Sequence, residues 1–248
     1  MKAMVLAAGL GTRLRPLTDE RPKALVEIGG RTLLEITLTR LREFGVRAVI
    51  INVHHLADRV VEYLAAHGNF GMRVEVSREE VLLDTGGGLK KAGWFLLEDG
   101  ERRDEPFLLH NVDVISSIDF GAMVEAHKKN GASATLAVQK REASRQLLFD
   151  EELWLCGRRT GRNAAAEIVR AVGAWETLAF TGIHVISPRL LGMMSEDRVF
   201  SIIDTYLRLA AAGENVRAYR TDGFYWRDLG KPEQLRQAEE DCRKKLFV

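Results

Sequence analysis

Residues Ala3 to Ala8 form an unbroken apolar run that ends in Gly9-Leu10-Gly11-Thr12-Arg13-Leu14-Arg15-Pro16-Leu17-Thr18, with Pro22-Lys23 close behind. A strand that is apolar at every position, rather than at alternate ones, belongs in a parallel sheet covered on both faces. The glycines after it permit a sharp turn whose N–H groups approach an anion, while Arg13 and Lys23 add fixed and movable positive charge. Such a strand and loop suit a triphosphate. A Gly-x-Gly pair alone marks an ordinary surface turn; Arg13 and Pro22-Lys23 are what make this one specific. Two other phosphate loops do not fit. The dinucleotide fingerprint needs a third glycine where Leu14 stands, and no Gly-Lys followed by Ser or Thr comes after a strand.

A chain of 248 residues with no linker-like segment predicts a single domain over 1–248 with a sizeable buried interior. Its formal charge of +1 argues against bulk electrostatic attraction to nucleic acid or an anionic membrane, so anion binding must be local. The four tryptophans are dispersed and make no stacking platform for bases. Cys156 and Cys242 are too few for a disulfide framework and lack metal-ligand spacing. With Met1-Lys2 leading directly into the first strand and no apolar stretch of spanning length, the expectation is a soluble cytoplasmic protein without signal peptide or membrane anchor.

Strand and helix patterns alternate through the first half: helix from Leu33 to Phe44, strand from Ala48 to Val53, helix from Ala57 to Ala66 and strand from Met72 to Val76. Thr85 is placed to cap a helix containing Leu89 to Leu97, and Pro106 to Leu109 reads as another buried strand. Successive units of this kind predict an α/β fold, a doubly wound, mostly parallel mixed sheet with helices on both faces. The second half reads as a small β-rich insertion: strands at Ala132–Gln139, Gln146–Asp150 and Leu153–Cys156, a loop over Arg158–Glu176, then a strand at Ala179–Ile186. Helices at Ser201–Ala212 and Pro232–Leu246 close the chain.

The block from Leu6 to Thr18 with Pro22-Lys23 resembles the signature of the sugar-1-phosphate nucleotidylyltransferases, which join a nucleoside triphosphate to a sugar 1-phosphate and release pyrophosphate. Further blocks resemble the family in the same order: Asp84-Thr85-Gly86-Gly87-Gly88, Asn111-Val112-Asp113, Phe180-Thr181-Gly182-Ile183 and Tyr225 to Pro232. The resemblance covers nearly the whole chain and implies a Rossmann-like nucleotidyltransferase fold. The expectation is a chain without the β-helix appended to some members.

Transfer of this kind needs charge neutralisation and in-line positioning more than covalent chemistry. Asp113 follows the strand Pro106–Leu109 at the end where open α/β sheets bind ligands, so it either holds Mg²⁺ or caps the turn. The resemblance implies that Asp228 joins it on the metal; by spacing alone Asp228 would equally be a surface partner of Arg227 or Lys231. It also implies that Arg13 stabilises the β and γ phosphates, and that Lys23 neutralises charge near the α-phosphate. Leu6, Ala8, Gly9, Gly11 and Thr12 would bind the nucleotide, with Glu80 and Gly86-Gly87 closing over the base.

On the acceptor side, Asn111, Thr181 and Gly182 are implied as pocket residues. The common Glu-Lys-Pro motif is missing, and Glu167 is the nearby acidic candidate. Val112 stands where relatives carry a small residue, which bears on how the acceptor or ribose sits. His54 and His55 are adjacent without a third ligand and read as structural. The resemblance favours UTP or GTP with a sugar 1-phosphate, and the short form is similar to muramate-1-phosphate uridylyltransferases and mannose-1-phosphate guanylyltransferase-like proteins. Two alternatives stay open: a cytidylyltransferase for a non-sugar phosphate such as phosphocholine, and a non-catalytic nucleotide-sugar sensor. Oligomeric state is open as well.

Overall fold

The computed structural model describes residues 1–98, 104–161, 164–171 and 173–247 of the 248-residue chain. Strand β1 (Lys2–Leu6) is followed, after the glycine loop, by a short hairpin of β2 (Glu27–Ile28) and β3 (Arg31–Thr32). The hairpin feeds α1 (Leu33–Glu43), whose first turn is capped by Thr32 Oγ1 accepting from the Glu35 N–H at 3.0 Å. Then come β4 (Ala48–Val53), α2 (Ala57–Ala66), β5 (Arg73–Arg78), α3 (Asp84–Lys91), α4 (Gly93–Leu96), β6 (Phe107–Asn111) and β7 (Val114–Ser116). The remainder is α5 (Phe120–Asn130), β8 (Ala134–Gln139), β9 (Arg145–Phe149), β10 (Leu155–Thr160), β11 (Glu167–Ile168), β12 (Glu176–Ile186), α6 (Arg189–Gly192), α7 (Ile202–Ala211), β13 (Val216–Arg220), β14 (Trp226–Asp228) and α8 (Pro232–Arg243).

A ten-stranded sheet runs in the order β11-β10-β9-β12-β6-β1-β4-β5, with β8 pairing β12 and β13 alongside this path. The block β6-β1-β4-β5 is parallel throughout, and β12 joins it antiparallel to β6. Alternate residues of β1 sort the interior in two. Ala3 and Val5 pack with α1, α2, α5 and α8, whereas Met4 packs with α3, α4, α6 and α7. Both faces of β1 are therefore covered by helices, as its continuous apolar run requires. The sheet is mixed and doubly wound.

Several elements depart from the sequence expectations for local reasons. Thr85 does not cap its helix. α3 starts two residues earlier, at Asp84 behind Leu83 with no side-chain cap, and Thr85 Oγ1 instead accepts from the Ile202 N–H at 3.0 Å. The helix expected through Leu97 breaks after Lys91, and Gly93 opens the separate α4. Within the expected loop 158–176, β10 continues to Thr160 and β11 pairs with it; residues 162, 163 and 172 lie outside the described residues. α5 adds to the expected elements, although Asp119 as its cap and Phe120, Met123 and Val124 at helical spacing carry its signal.

Two stability results are expected. Leu38 on α1 is fully buried, so Leu38→Ala should lower unfolding free energy by about 2–5 kcal/mol, read as a lower urea midpoint. Burial pushes His110 and His127 down from 6.5 to about 4 and His184 down to about 3, with Arg40 and Arg189 adding to the first two shifts and His110 to the third. The unfolded chain then binds more protons below pH 6.5 than the folded one. Stability is held above about pH 6.5 and falls progressively toward pH 4. The summed loss is several kcal/mol, because each tenfold drop in a histidine's proton affinity on folding is worth about 1.4 kcal/mol. Urea midpoints measured across that window check the sign.

Candidate active site

A cavity of about 550 Å³ opens at the carboxyl ends of the parallel strands β1, β4, β5 and β6, where open α/β sheets bind ligands. One wall is the loop after β1, from Ala7 through Arg13, with Leu6 beneath it. Gly11 has φ +65, and a Cβ there would lie 2.9 Å from Thr18 Cγ2 and 3.3 Å from Lys23 Cβ. Only glycine accepts both the torsion and the contact. The loop is closed on itself by Thr18 Oγ1 donating to the Gly11 carbonyl at 2.8 Å and the Leu14 N–H donating to the same oxygen at 2.8 Å. Gly9 faces open space, with no protein atom within 4 Å of where its Cβ would stand.

Opposite the loop, Asn111, Val112 and Asp113 leave β6. Lys23 Nζ donates to Asp113 Oδ2 in a short ion pair whose side chains are 10% and 22% exposed. Asp228 arrives from far along the chain because β14 pairs antiparallel with β7, setting Asp228 opposite Val114. The Leu229 N–H donates to the Asp113 carbonyl at 2.8 Å, which locks the two acidic segments together. Asp228 Oδ1 accepts from the Gly230 N–H at 2.6 Å. A Cβ on Gly230 would collide with Arg13 Nη2 and lie 2.7 Å from Asp228 Oδ1, so Arg13 and Asp228 share the space that this glycine leaves.

The four residues of predicted chemistry, Arg13, Lys23, Asp113 and Asp228, are thus brought to one end of the sheet. Asp113 and Asp228 offer hard carboxylate oxygens of the kind that suits Mg²⁺, which completes its shell with water and phosphate oxygens. Among the described residues no group of three or more His, Cys, Asp or Glu is arranged to hold a metal.

Beside β4 and β5 the cavity is lined by Glu79 and not by Glu80, the residue expected from the sequence. Glu80 is exposed, whereas Glu79 is 5% exposed and lines the cavity. Strand alternation explains the difference: Ser77 and Glu79 turn inward, Arg78 and Glu80 outward. Counting that period from β5 is the signal that finds Glu79. Its Oε1 accepts from Asn52 Nδ2 at 2.7 Å and its Oε2 from the Leu83 N–H at 2.9 Å. Asn52 Oδ1 in turn accepts from the Ala7 N–H at 2.8 Å, so one chain of bonds ties β1, β4, the end of β5 and the entry to α3. Gly88 faces this pair, since its Cβ would lie 2.8 Å from Asn52 Nδ2 and 2.9 Å from Glu79 Oε1. His54 sits behind it, its Nδ1 2.8 Å from the Glu79 carbonyl.

Gly86 and Gly87 do not border the cavity. Their N–H groups both donate to the Phe200 carbonyl, at 2.9 and 3.3 Å, and a Cβ on Gly86 would collide with the Phe200 ring. These glycines admit the 198–200 segment, and Asp84, Thr85 and Val199 take the lining positions.

The acceptor expectations divide as well. Asn111 lines the cavity, but Gly182, at φ +83 in the register shift of β12, makes room for Asn111, whose Nδ2 would be 2.8 Å from a Cβ there. Thr181 is 1% exposed and its Oγ1 donates to the Ala137 carbonyl at 2.9 Å, so its side chain belongs to the interior. Glu167 is exposed on β11, paired with Arg158 Nε at 2.6 Å and absent from the cavity wall.

Known proteins share both sequence and shape with this one. An N-acetylmuramate alpha-1-phosphate uridylyltransferase of Caulobacter vibrioides is 36% identical over 244 residues, covering 96% of this chain and 95% of that protein. A mannose-1-phosphate guanyltransferase of Yarrowia lipolytica is 30% identical over 95% of this chain, which spans only 62% of the length of that relative. In fold, the chain is similar to HddC from Yersinia pseudotuberculosis complexed with GMP-PN, with TM-score 0.73, 22% identity and coverage of 97% and 99%. A UDP-glucose pyrophosphorylase complexed with UDP-glucose superposes with TM-score 0.77 at 18% identity, covering 98% of each chain. The nucleotidyl transferase family profile matches residues 2–147, which carry the glycine loop, Lys23, Glu79 and Asp113. The profile match over more than half of the chain and the similarity along nearly its whole length show that the chain belongs to the nucleotidyl transferase family.

Proposed function

We propose that this protein transfers a nucleoside monophosphate from a nucleoside triphosphate, UTP or GTP, to a sugar 1-phosphate, releasing pyrophosphate and forming a nucleoside diphosphate sugar. The observation that carries the reading is the convergence of Arg13 and Lys23 with Asp113 and Asp228 at the carboxyl ends of the parallel strands. In this reading the triphosphate lies along the loop Gly9–Arg13, whose N–H groups and Arg13 guanidinium take the β and γ phosphates. The open space beside Gly9 supports close approach of the phosphates.

Lys23, held on the Asp113 carboxylate, stands between the two substrates and balances charge as the acceptor phosphate oxygen attacks the α-phosphorus. Pyrophosphate departs on the opposite side, toward Arg13. Asp113 and Asp228 would hold Mg²⁺, which when bound supplies charge neutralisation at the α-phosphate. Asn52 and Glu79 form the polar wall for the base, because the buried Glu79 carboxylate presents acceptors for base N–H groups. The unpaired Cys156 and Cys242 fit a reducing cytoplasm.

The test is pyrophosphate release with Mg²⁺ across UTP, GTP, dTTP, CTP and ATP against several sugar 1-phosphates and phosphocholine. Release with a sugar 1-phosphate upholds the reading. Release with phosphocholine alone would replace it with the cytidylyltransferase, and binding without release would replace it with the sensor.

A further inference from the structure

Arg141 follows β8 and is not among the charged residues to which the sequence assigns a role. Its guanidinium Cζ lies over the Trp226 ring, 3.8 Å from the ring centroid. Nη2 donates to the Phe180 carbonyl at 3.0 Å, while Nε is buried without a hydrogen-bond partner. Trp226 is itself fixed, donating from Nε1 to the Thr181 carbonyl at 2.8 Å, and stands two residues before Asp228 on β14. Burial lowers the Arg141 pKa and the Asp228 carboxylate opposes that shift, so the two charges feel each other. The segment is anchored from behind, where Gln139 Nε2 donates to the Thr221 carbonyl at 2.9 Å and the Lys140 N–H to Asp222 at 2.6 Å.

A guanidinium held over an indole face keeps its edge available to an anion, and with Nη2 given to Phe180 its remaining N–H donors can meet a phosphate oxygen. Its position in the fold indicates which phosphate. The triphosphate loop follows β1, whereas β8 and β12 lie on the far side of β6, across Asp113 and Asp228. We propose that Arg141 binds the phosphate group of the acceptor, a phosphate monoester dianion, holding it against the Asp228 side of the site on a platform formed by Trp226. This rests on the nucleotidylyl transfer proposed above.

The experiment compares wild type, Arg141→Gln and Arg141→Lys at saturating nucleoside triphosphate, varying the sugar 1-phosphate that wild type turns over best. Gln keeps a flat polar head that can lie on Trp226 and donate to Phe180 but carries no charge; Lys keeps the charge. Expected for Arg141→Gln is a rise in acceptor KM of about tenfold or more with the triphosphate KM within about twofold, and partial recovery in Arg141→Lys. An unchanged acceptor KM, or both KM values rising together, would overturn the assignment. If wild type turns over no pair, the transfer reading fails by itself. Inorganic phosphate titrated calorimetrically in saturating pyrophosphate then decides Arg141: binding lost in Arg141→Gln upholds the anion role, and binding retained refutes it.

Discussion

Asp113→Asn is expected to reduce pyrophosphate release by about 10³-fold or more while leaving the urea midpoint nearly unchanged. The substitution preserves shape and removes one charge from a position where charge is the chemistry. Asp113 accepts from Lys23 and its backbone carbonyl anchors Leu229, the neighbour of Asp228. The backbone anchor survives the substitution, so the two acidic segments stay together; the proposed donor set for Mg²⁺ would fall from two carboxylates to one. Chelation of divalent metal should mimic the variant in wild type, and added Mg²⁺ should restore wild type but not Asp113→Asn. Full activity of the variant at low Mg²⁺ would remove Asp113 from the reaction.

Arg13→Ala is the second large effect, with kcat expected to fall by about 10²- to 10³-fold, the scale of losing one charged stabiliser of a transition state. The acceptor KM should stay near its wild-type value. Arg13 is exposed on the cavity wall beside Gly230 and Asp228, and in the proposed reading its loss acts on the departing pyrophosphate. Little stability should be lost, since no buried contact disappears. A variant that changed only sugar affinity would contradict the leaving-group role. Arg141→Gln is expected instead to raise the acceptor KM, so the two variants are told apart by whether kcat or acceptor KM changes.

The local parts of this site were legible in the sequence. Continuous apolarity marked β1 as central, and the glycines with Arg13 and Lys23 marked the loop, because each property acts over a few residues. The misreadings came from direction and from long-range pairing. Glu80 and Glu79 differ only in strand parity, a one-residue shift that turns a side chain from cavity to solvent. Gly86, Gly87 and Gly182 are small because protein packs on them, Phe200 on the first, Arg198 and Leu83 on the second, and Asn111 on the third, and composition does not distinguish that from room for a ligand. Glu167 lies near the right segment of the chain but on β11, at the sheet edge. The union of Asp113 with Asp228 and the stacking of Arg141 on Trp226 depend on β14 docking beside β7, and no local pattern encodes that pairing.

The most direct measurement of the central claim uses a sugar 1-phosphate whose three non-bridging phosphate oxygens are ¹⁸O, incubated with the preferred nucleoside triphosphate and Mg²⁺. The products are followed by mass spectrometry. Direct attack on the α-phosphorus is expected to give one nucleoside diphosphate sugar per pyrophosphate, with all three labels in the sugar nucleotide and none in the pyrophosphate. Pyrophosphate released without a sugar nucleotide, or label found in the pyrophosphate, would contradict it.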